Sequence, residues 1–89
     1  MKKYLVEMST WNEREPDNGI WQSEAFPDLT EAETEEEAIS LCIDYIMEGL
    51  DWSTVDCDPE SIERKSNRIE YRNSNGDRCG YSFRATAVE

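Results

Sequence analysis

The feature that most constrains this chain is a long acidic stretch without a single base. Residues 15–63 carry sixteen aspartates and glutamates and no lysine, arginine or histidine. The negative charge of this stretch is therefore larger than the net charge of the whole chain, −12. Residues 1–14 hold three bases and two acids, and residues 64–89 hold six bases and three acids. Carboxylates without a paired cation are rarely buried, so we expect these side chains to face water and the apolar residues between them to form the core.

The length and composition predict one small folded domain over residues 1–89. A chain of this size buries about 60–65% of its unfolded surface, which allows a single core. No segment approaches the ~18 apolar residues of a membrane span, and Glu7 follows the basic start too soon for a signal peptide. We therefore expect a cytoplasmic protein that binds no membrane. Its cysteines are odd in number and lack CxxC spacing, which predicts free thiols at Cys42, Cys57 and Cys79.

The first third of the chain predicts two strands joined by a polar connection. Residues 3–11 alternate between apolar and polar side chains, as in a half-buried strand. Residues 12–19 are polar and end in Asn-Gly, which is typical of a hairpin connection. A second strand is expected over residues 20–26, where Pro27 ends it by removing a backbone donor.

A helix is predicted from Thr34 to Gly49. Thr34 and Glu37 form a capping-box pattern, and Gly49 is typical of a helix end. The predicted apolar stripe, spaced i, i+3, i+4, i+7, i+8 and widened by Ile39 and Ile43, is Ala38, Leu41, Cys42, Tyr45 and Ile46. The opposite face is acidic, and we call four of its members the acidic ridge: Glu36, Glu37, Asp44 and Glu48.

The last third predicts a hairpin of residues 62–73 and 78–88 around Ser74-Asn75-Gly76. A three-residue turn, with Gly76 in a left-handed conformation, places Tyr71 opposite Cys79. The inward-facing residues of the last strand are then Cys79, Tyr81, Phe83, Ala85 and Ala87, and the reverse face carries Arg68, Arg72, Arg78 and Arg84 with Glu70. The resulting prediction is an α+β fold of order β-β-α-β-β, with one helix on a four-stranded, mainly antiparallel sheet.

The residue types argue against an enzyme. The chain has no histidine, the most common general base, and no phosphate-binding loop or nucleophile motif. A calcium site from Asp51, Asp56, Asp58 and Glu60 is the alternative, but their spacing is not that of an EF-hand loop. We therefore predict no catalytic residue, no metal site and no cofactor.

A surface for a protein partner is the better hypothesis. It combines the acidic ridge with the acidic segment that follows the helix, in which Trp52 supplies an aromatic anchor. Two interpretations of Trp52 stand: an interface anchor, or a lid folded over the end of the helix. The predicted partner-binding residues are Glu36, Glu37, Asp44, Glu48, Asp51, Trp52, Asp56 and Asp58. The arginine row of the hairpin is expected to form ion pairs, within the molecule or across a homodimer, rather than to bind nucleic acid, because the net charge repels phosphates.

Residues 3–50 resemble the N-terminal domain of HicB-like antitoxins. The resemblance lies in the run from Gly19-Ile20-Trp21 to Phe26-Pro27-Asp28-Leu29 and in the Thr-x-Glu-Glu-Ala pattern that ends at Ala38. The Gly-Cys pair and the short strand that this family has after Pro-Asp-Leu are not evident here, and no DNA-binding helix-turn-helix or ribbon-helix-helix segment follows. The resemblance implies an acidic protein that covers a small basic RNA-binding toxin.

The sequence therefore predicts a non-enzymatic acidic inhibitor. It would block the basic nucleic-acid-binding surface of a nuclease, CRISPR effector or toxin, without binding nucleic acid itself. In size and charge the chain is similar to small acidic anti-CRISPR and nucleic-acid-mimic proteins. The alternative is a structural or regulatory homodimer whose acidic face only confers solubility.

Overall fold

A computed structural model describes residues 1–14, 20–23 and 26–88. In chain order the elements are strand β1 (Lys2–Asn12), strand β2 (Thr30–Ala32), helix α1 (Glu35–Gly49), two 3-10 turns (Trp52–Thr54 and Pro59–Ser61), and strands β3 (Glu63–Arg64), β4 (Arg68–Arg72) and β5 (Arg78–Ala87). The five strands form one sheet in the order β2-β1-β5-β4-β3, and every neighbouring pair is antiparallel. The α+β prediction is confirmed.

The number of strands and their order along the chain differ from the predicted four-stranded β-β-α-β-β arrangement. The strand expected over residues 20–26 is absent from the described part of that segment, residues 20–23 and Phe26, which makes one isolated bridge between Met8 and Gln22. The predicted connection at residues 15–19 lies outside the described residues. A short strand follows Pro27-Asp28-Leu29 instead, where Ala32 is fully buried and pairs with Lys2. A fully buried Ala32 is consistent with pairing here, because a small side chain lets the strand lie close beneath the helix.

The terminal hairpin has the predicted register. Tyr71 lies opposite Cys79 and Ile69 opposite Tyr81, and Gly76 has the positive φ of 81° that a bulged turn requires. Along β5, Cys79 and Phe83 are buried in the core, but Ala87 is exposed at the end of the strand. The hairpin is not an edge of the sheet, because β1 pairs with β5 along nine residues.

Helix α1 begins at the predicted cap and ends at the predicted glycine. The Thr34 hydroxyl accepts a hydrogen bond from the Glu37 backbone N–H at 3.1 Å, and Thr34 has extended backbone geometry. This bond satisfies one of the amide groups that have no partner within the helix. The last helical residue is Gly49, and the Leu50 N–H that follows donates to the carbonyl of Ile46 at 3.0 Å.

The helix buries only one side of the predicted apolar stripe. Ala38, Cys42 and Ile46 are buried as expected, but Leu41 and Tyr45 are 46% and 63% exposed. Ile43, which is fully buried, and the half-buried Ile39, which widened the predicted stripe, face the core instead. The helix is thus turned so that the side chains nearest the sheet are small or β-branched. The core cluster consists of Tyr4, Val6, Phe26, Ala32, Ala38, Cys42, Ile43, Ile46, Ile69 and Phe83.

Candidate interaction surface

The acidic ridge lies on the solvent side of α1. All four carboxylate-bearing residues, Glu36, Glu37, Asp44 and Glu48, are exposed. Asp44 and Glu48 are one helical turn apart, about 6 Å along the axis, and Glu37 lies two turns before Asp44. A rigid helix therefore holds Glu37, Asp44 and Glu48 in one row, whereas Glu36 projects about 100° away from Glu37 around the axis.

Most carboxylates of the acidic ridge have no basic side chain paired with them among the described residues. All nine lie within the described residues, where six form ion pairs: Arg14 with Asp77, Arg64 with Asp44, Lys65 with Glu63, Arg68 and Arg78 with Glu70, and Arg84 with Glu7. Of these six described bases, Arg64 alone pairs with a helix residue, and it also donates to the hydroxyl and the carbonyl of Ser40 at 2.6 and 3.1 Å. Within the described chain, Glu36, Glu37 and Glu48 have no ion pair.

The acidic residues after the helix have local structural roles. The Asp51 carboxylate caps the first 3-10 turn by accepting from the Ser53 hydroxyl at 2.6 Å and its N–H at 3.1 Å. These hydrogen bonds, the one from the hydroxyl above all, lower the pKa of Asp51. Asp58 caps the second turn through the Glu60 N–H at 3.1 Å. Both carboxylates therefore hold the loop in shape.

Asp56 connects the same loop to the terminal hairpin. Its two carboxylate oxygens accept from the backbone N–H and the hydroxyl of Ser74, each at 3.0 Å. Because Ser74 lies in the turn between β4 and β5, this contact fastens the loop to the far end of the sheet. Among the described residues, no group of three or more histidine, cysteine or acidic side chains is arranged to hold a metal ion.

Trp52 packs as a lid over the end of the helix. Its indole N–H donates to the carbonyl of Met47 at 3.3 Å, and its ring meets the ring of Tyr71 edge-on with centroids 5.9 Å apart. Trp52 is half-buried against the core cluster. Of the two interpretations of this residue, the structure supports the lid.

The open face of the sheet holds the arginine row in ion pairs and aromatic contacts. Glu70, which is 8% exposed, lies between Arg68 and Arg78. Arg84 binds Glu7 at 2.9 Å, and its guanidinium lies 4.4 Å from the ring centroid of Trp21. The ring of Trp11 is covered in the same way by Arg68 at 4.3 Å. Three arginines of the row, Arg68, Arg78 and Arg84, thus form ion pairs within the molecule, which is one of the two arrangements predicted, while Arg72 donates to the Gly76 carbonyl at 3.0 Å.

An apolar groove lies beside the ridge and was not predicted from the sequence. It is formed between α1 and residues 26–30, has a volume of about 340 Å³, and is lined by Phe26, Pro27, Asp28, Leu29, Thr30, Leu41, Cys42 and Tyr45. Leu41 and Tyr45 were expected in the core. The sequence carried one signal that Leu41 is exposed. Glu37 lies four residues before it and Asp44 three residues after it, so both acids are its neighbours on the helix surface.

The thiols show no activation. Burial is the largest cause that raises the pKa of Cys42, of Cys57 and of Cys79, and it favours the protonated form. All three cysteines are free.

No family model, curated protein or solved structure matches the chain. In the described ranges, no helix is long and apolar enough to cross a membrane.

Proposed function

We propose that this protein is a non-enzymatic inhibitor that binds, through the acidic ridge, to the basic nucleic-acid-binding surface of a partner protein. The observation that carries the proposal is the exposed row of carboxylates on α1, in which Glu37 and Glu48 have no ion pair with a described residue. Rows of lysine and arginine that hold a phosphate backbone are attracted to such a surface, and the attraction increases the association rate. A partner covered in this way loses access to its nucleic acid.

Two versions of the partner follow from the sequence. One is a nuclease or CRISPR effector, in which case the protein acts as a nucleic-acid mimic. The other is a small basic toxin, in which case it acts as a HicB-like antitoxin. The short strand β2 after Pro27-Asp28-Leu29 supports the second version, because it supplies the strand that this family has at that position and that was not evident from the sequence.

The simplest interface for a homodimer, the outer edge of the terminal hairpin, is already occupied. Pairing through the terminal hairpin needs a free strand edge, but β3 occupies the outer edge of β4 at Glu70 and Ile69. Beyond β3, the Arg72 N–H donates to the Ser61 hydroxyl and the Arg72 carbonyl accepts from the Asp58 N–H, both at 2.8 Å. The occupied edge favours the inhibitor.

A charge-exchange variant with a matched control tests the proposal. We would replace Glu37 and Glu48 with Lys and compare the product with a Glu13→Lys, Glu60→Lys variant of the same net charge, whose substituted residues are exposed and lie off the ridge. Asp44 is left unchanged because it holds Arg64. Each protein is used as bait in cells of the source, and the captured protein is then titrated at increasing salt.

The ridge variant should lose a basic nucleic-acid-binding partner that the wild type and the control both retain. Wild-type affinity should fall steeply as salt rises, because screening acts within about 8–10 Å at ordinary ionic strength. The partner should release its nucleic acid in competition. Equal capture by the ridge variant, or a ternary complex with nucleic acid still bound, would contradict the proposal.

A further inference from the structure

The groove beside the acidic ridge leaves three large apolar side chains partly exposed to water. Leu29, Leu41 and Tyr45 are 45%, 46% and 63% exposed. Leu41 and Tyr45 are one helical turn apart and form one wall, while Pro27 and Leu29 line the other. Covering such side chains stabilises a complex by about 25 cal/mol for each Å² removed from water.

The groove is held open by contacts beneath it. The ring of Tyr45 meets the ring of Phe26 edge-on with centroids 6.1 Å apart, and Phe26 packs in turn against Phe83 at 6.2 Å. Phe26 and Cys42 are both buried, and the Cys42 thiol lies 3.5 Å from the Thr30 hydroxyl. Because its walls are anchored in the core, the groove needs little reorganisation to receive a side chain.

The charged side chains at the rim of the groove are acidic, and Arg64, bound to Asp44, is the base paired with one of them. Asp28 lines the groove itself, and the ridge residues Glu37, Asp44 and Glu48 lie three or four residues from Leu41 or Tyr45 on the same helix. In the described part of the chain, no lysine or arginine lines this groove. A matching ligand therefore brings an apolar side chain flanked by positive charges.

We propose that the groove receives a basic amphipathic helix of the partner protein, with an aliphatic side chain inserted between Leu41 and Leu29. The proposal rests on the proposed function and extends it by naming what the ridge binds. It also moves the interface anchor from Trp52, which serves the core, to Leu41 and Tyr45.

A helix fits this site better than an added strand. A bound amphipathic helix inserts side chains spaced i, i+3 and i+4 along its own apolar face, and the groove lined by Leu41, Tyr45 and Leu29 offers apolar walls to such side chains. Strand addition would rely on backbone hydrogen bonds to a sheet edge. The adjacent edge strand, β2, is only three residues long, so it offers few such bonds.

The test uses a synthetic peptide as the probe. It is a helical peptide of about 18 residues, or five turns, with leucines on one face and lysines and arginines on the other. A control peptide has the same charge with glutamine in place of each leucine. Binding to the full chain is measured by fluorescence anisotropy at low and high salt.

The protein variants are Leu41→Gln, Tyr45→Gln and, as a matched control, Val88→Gln, because Val88 has the same exposed fraction as Leu41, 46%. Thermal melts verify that each variant folds. We expect Leu41→Gln and Tyr45→Gln each to weaken leucine-peptide binding about tenfold, as loss of an interface anchor does. The loss should be the same at both salt concentrations, and Val88→Gln should bind as the wild type does.

The outcomes separate the groove from the ridge. Weaker binding by Leu41→Gln and stronger binding of the leucine peptide than the glutamine peptide support the groove. Equal binding of the two peptides, or wild-type affinity in Leu41→Gln, overturns it. If the Glu37→Lys, Glu48→Lys variant still loses binding at low salt in that case, the ridge proposal stands without the groove. If the charge variant binds normally while Leu41→Gln does not, the ridge fails and the groove remains as an apolar site.

Discussion

Arg64, the first base after the acidic stretch, binds the carboxylate of Asp44 on the helix. The guanidinium also donates to Ser40, so strand β3 is tied to the middle of α1. This contact has two effects. It attaches the edge of the sheet to the helix, and it neutralises one charge of the acidic ridge.

Arg64→Gln should therefore make the acidic ridge more negative and increase its attraction for a basic partner. The Arg64 and Asp44 side chains are 37% and 54% exposed, so the free energy of unfolding should fall by less than about 1 kcal/mol. The association rate with the basic helical peptide should rise at low salt and not at high salt, as stopped-flow measurements would show. Arg84→Gln is the control, because it removes the same charge from the open sheet face. Equal acceleration by both variants would assign the effect to net charge alone.

The orientation of the helix predicts opposite results at neighbouring positions. Ile43 is fully buried, so Ile43→Ala should lower the free energy of unfolding by about 2–5 kcal/mol through lost burial and a cavity. Leu41→Ala should cost less than about 1 kcal/mol, because Leu41 is a half-exposed groove residue. Urea denaturation measures both. Similar losses at the two positions would mean that the helix is turned as the sequence stripe suggested.

Gly80 should not accept a side chain. It has a φ of 150°, and a Cβ atom there would lie 1.8 Å from the carbonyl oxygen of Ile69 on β4. We expect Gly80→Ala to cost at least about 3 kcal/mol, because the obstacle is backbone in the middle of the sheet. Gly49→Ala is the control, since a methyl group there would meet no other described segment within 4 Å, and it should be neutral or stabilising by up to about 1 kcal/mol. A thermal melt of Gly80→Ala that matches the wild type would contradict this strand contact.

The helix cap predicts a loss that serine should prevent. Thr34→Ala removes the acceptor of the Glu37 N–H and should cost about 0.5–2 kcal/mol. Thr34→Ser keeps a hydroxyl at that position and should stay within a few tenths of a kcal/mol of the wild type. Both values come from chemical denaturation followed by circular dichroism. If alanine and serine variants were equally stable, the cap would contribute nothing.

The features that the sequence alone determined are those with short-range causes. The Thr34 cap joins residues three apart, and the left-handed Gly76 sets the register of β4 against β5 through one turn. Likewise, the absence of bases between Arg14 and Arg64 required an exposed acidic ridge wherever the helix packed. In each case the interacting groups are close in the chain, so residue type and spacing were sufficient.

The tertiary structure decided what depends on contacts between distant segments. The stripe through Leu41 and Tyr45 and the one through Ile39 and Ile43 are both apolar, and only packing against the sheet selected the second. Burial against Tyr71 likewise made Trp52 a lid. The central position of β5 comes from its pairing with β1, whose residues lie 67 to 83 positions earlier in the chain, and no local pattern encodes that pairing. The groove beside the ridge exists because the helix turned two apolar side chains toward water.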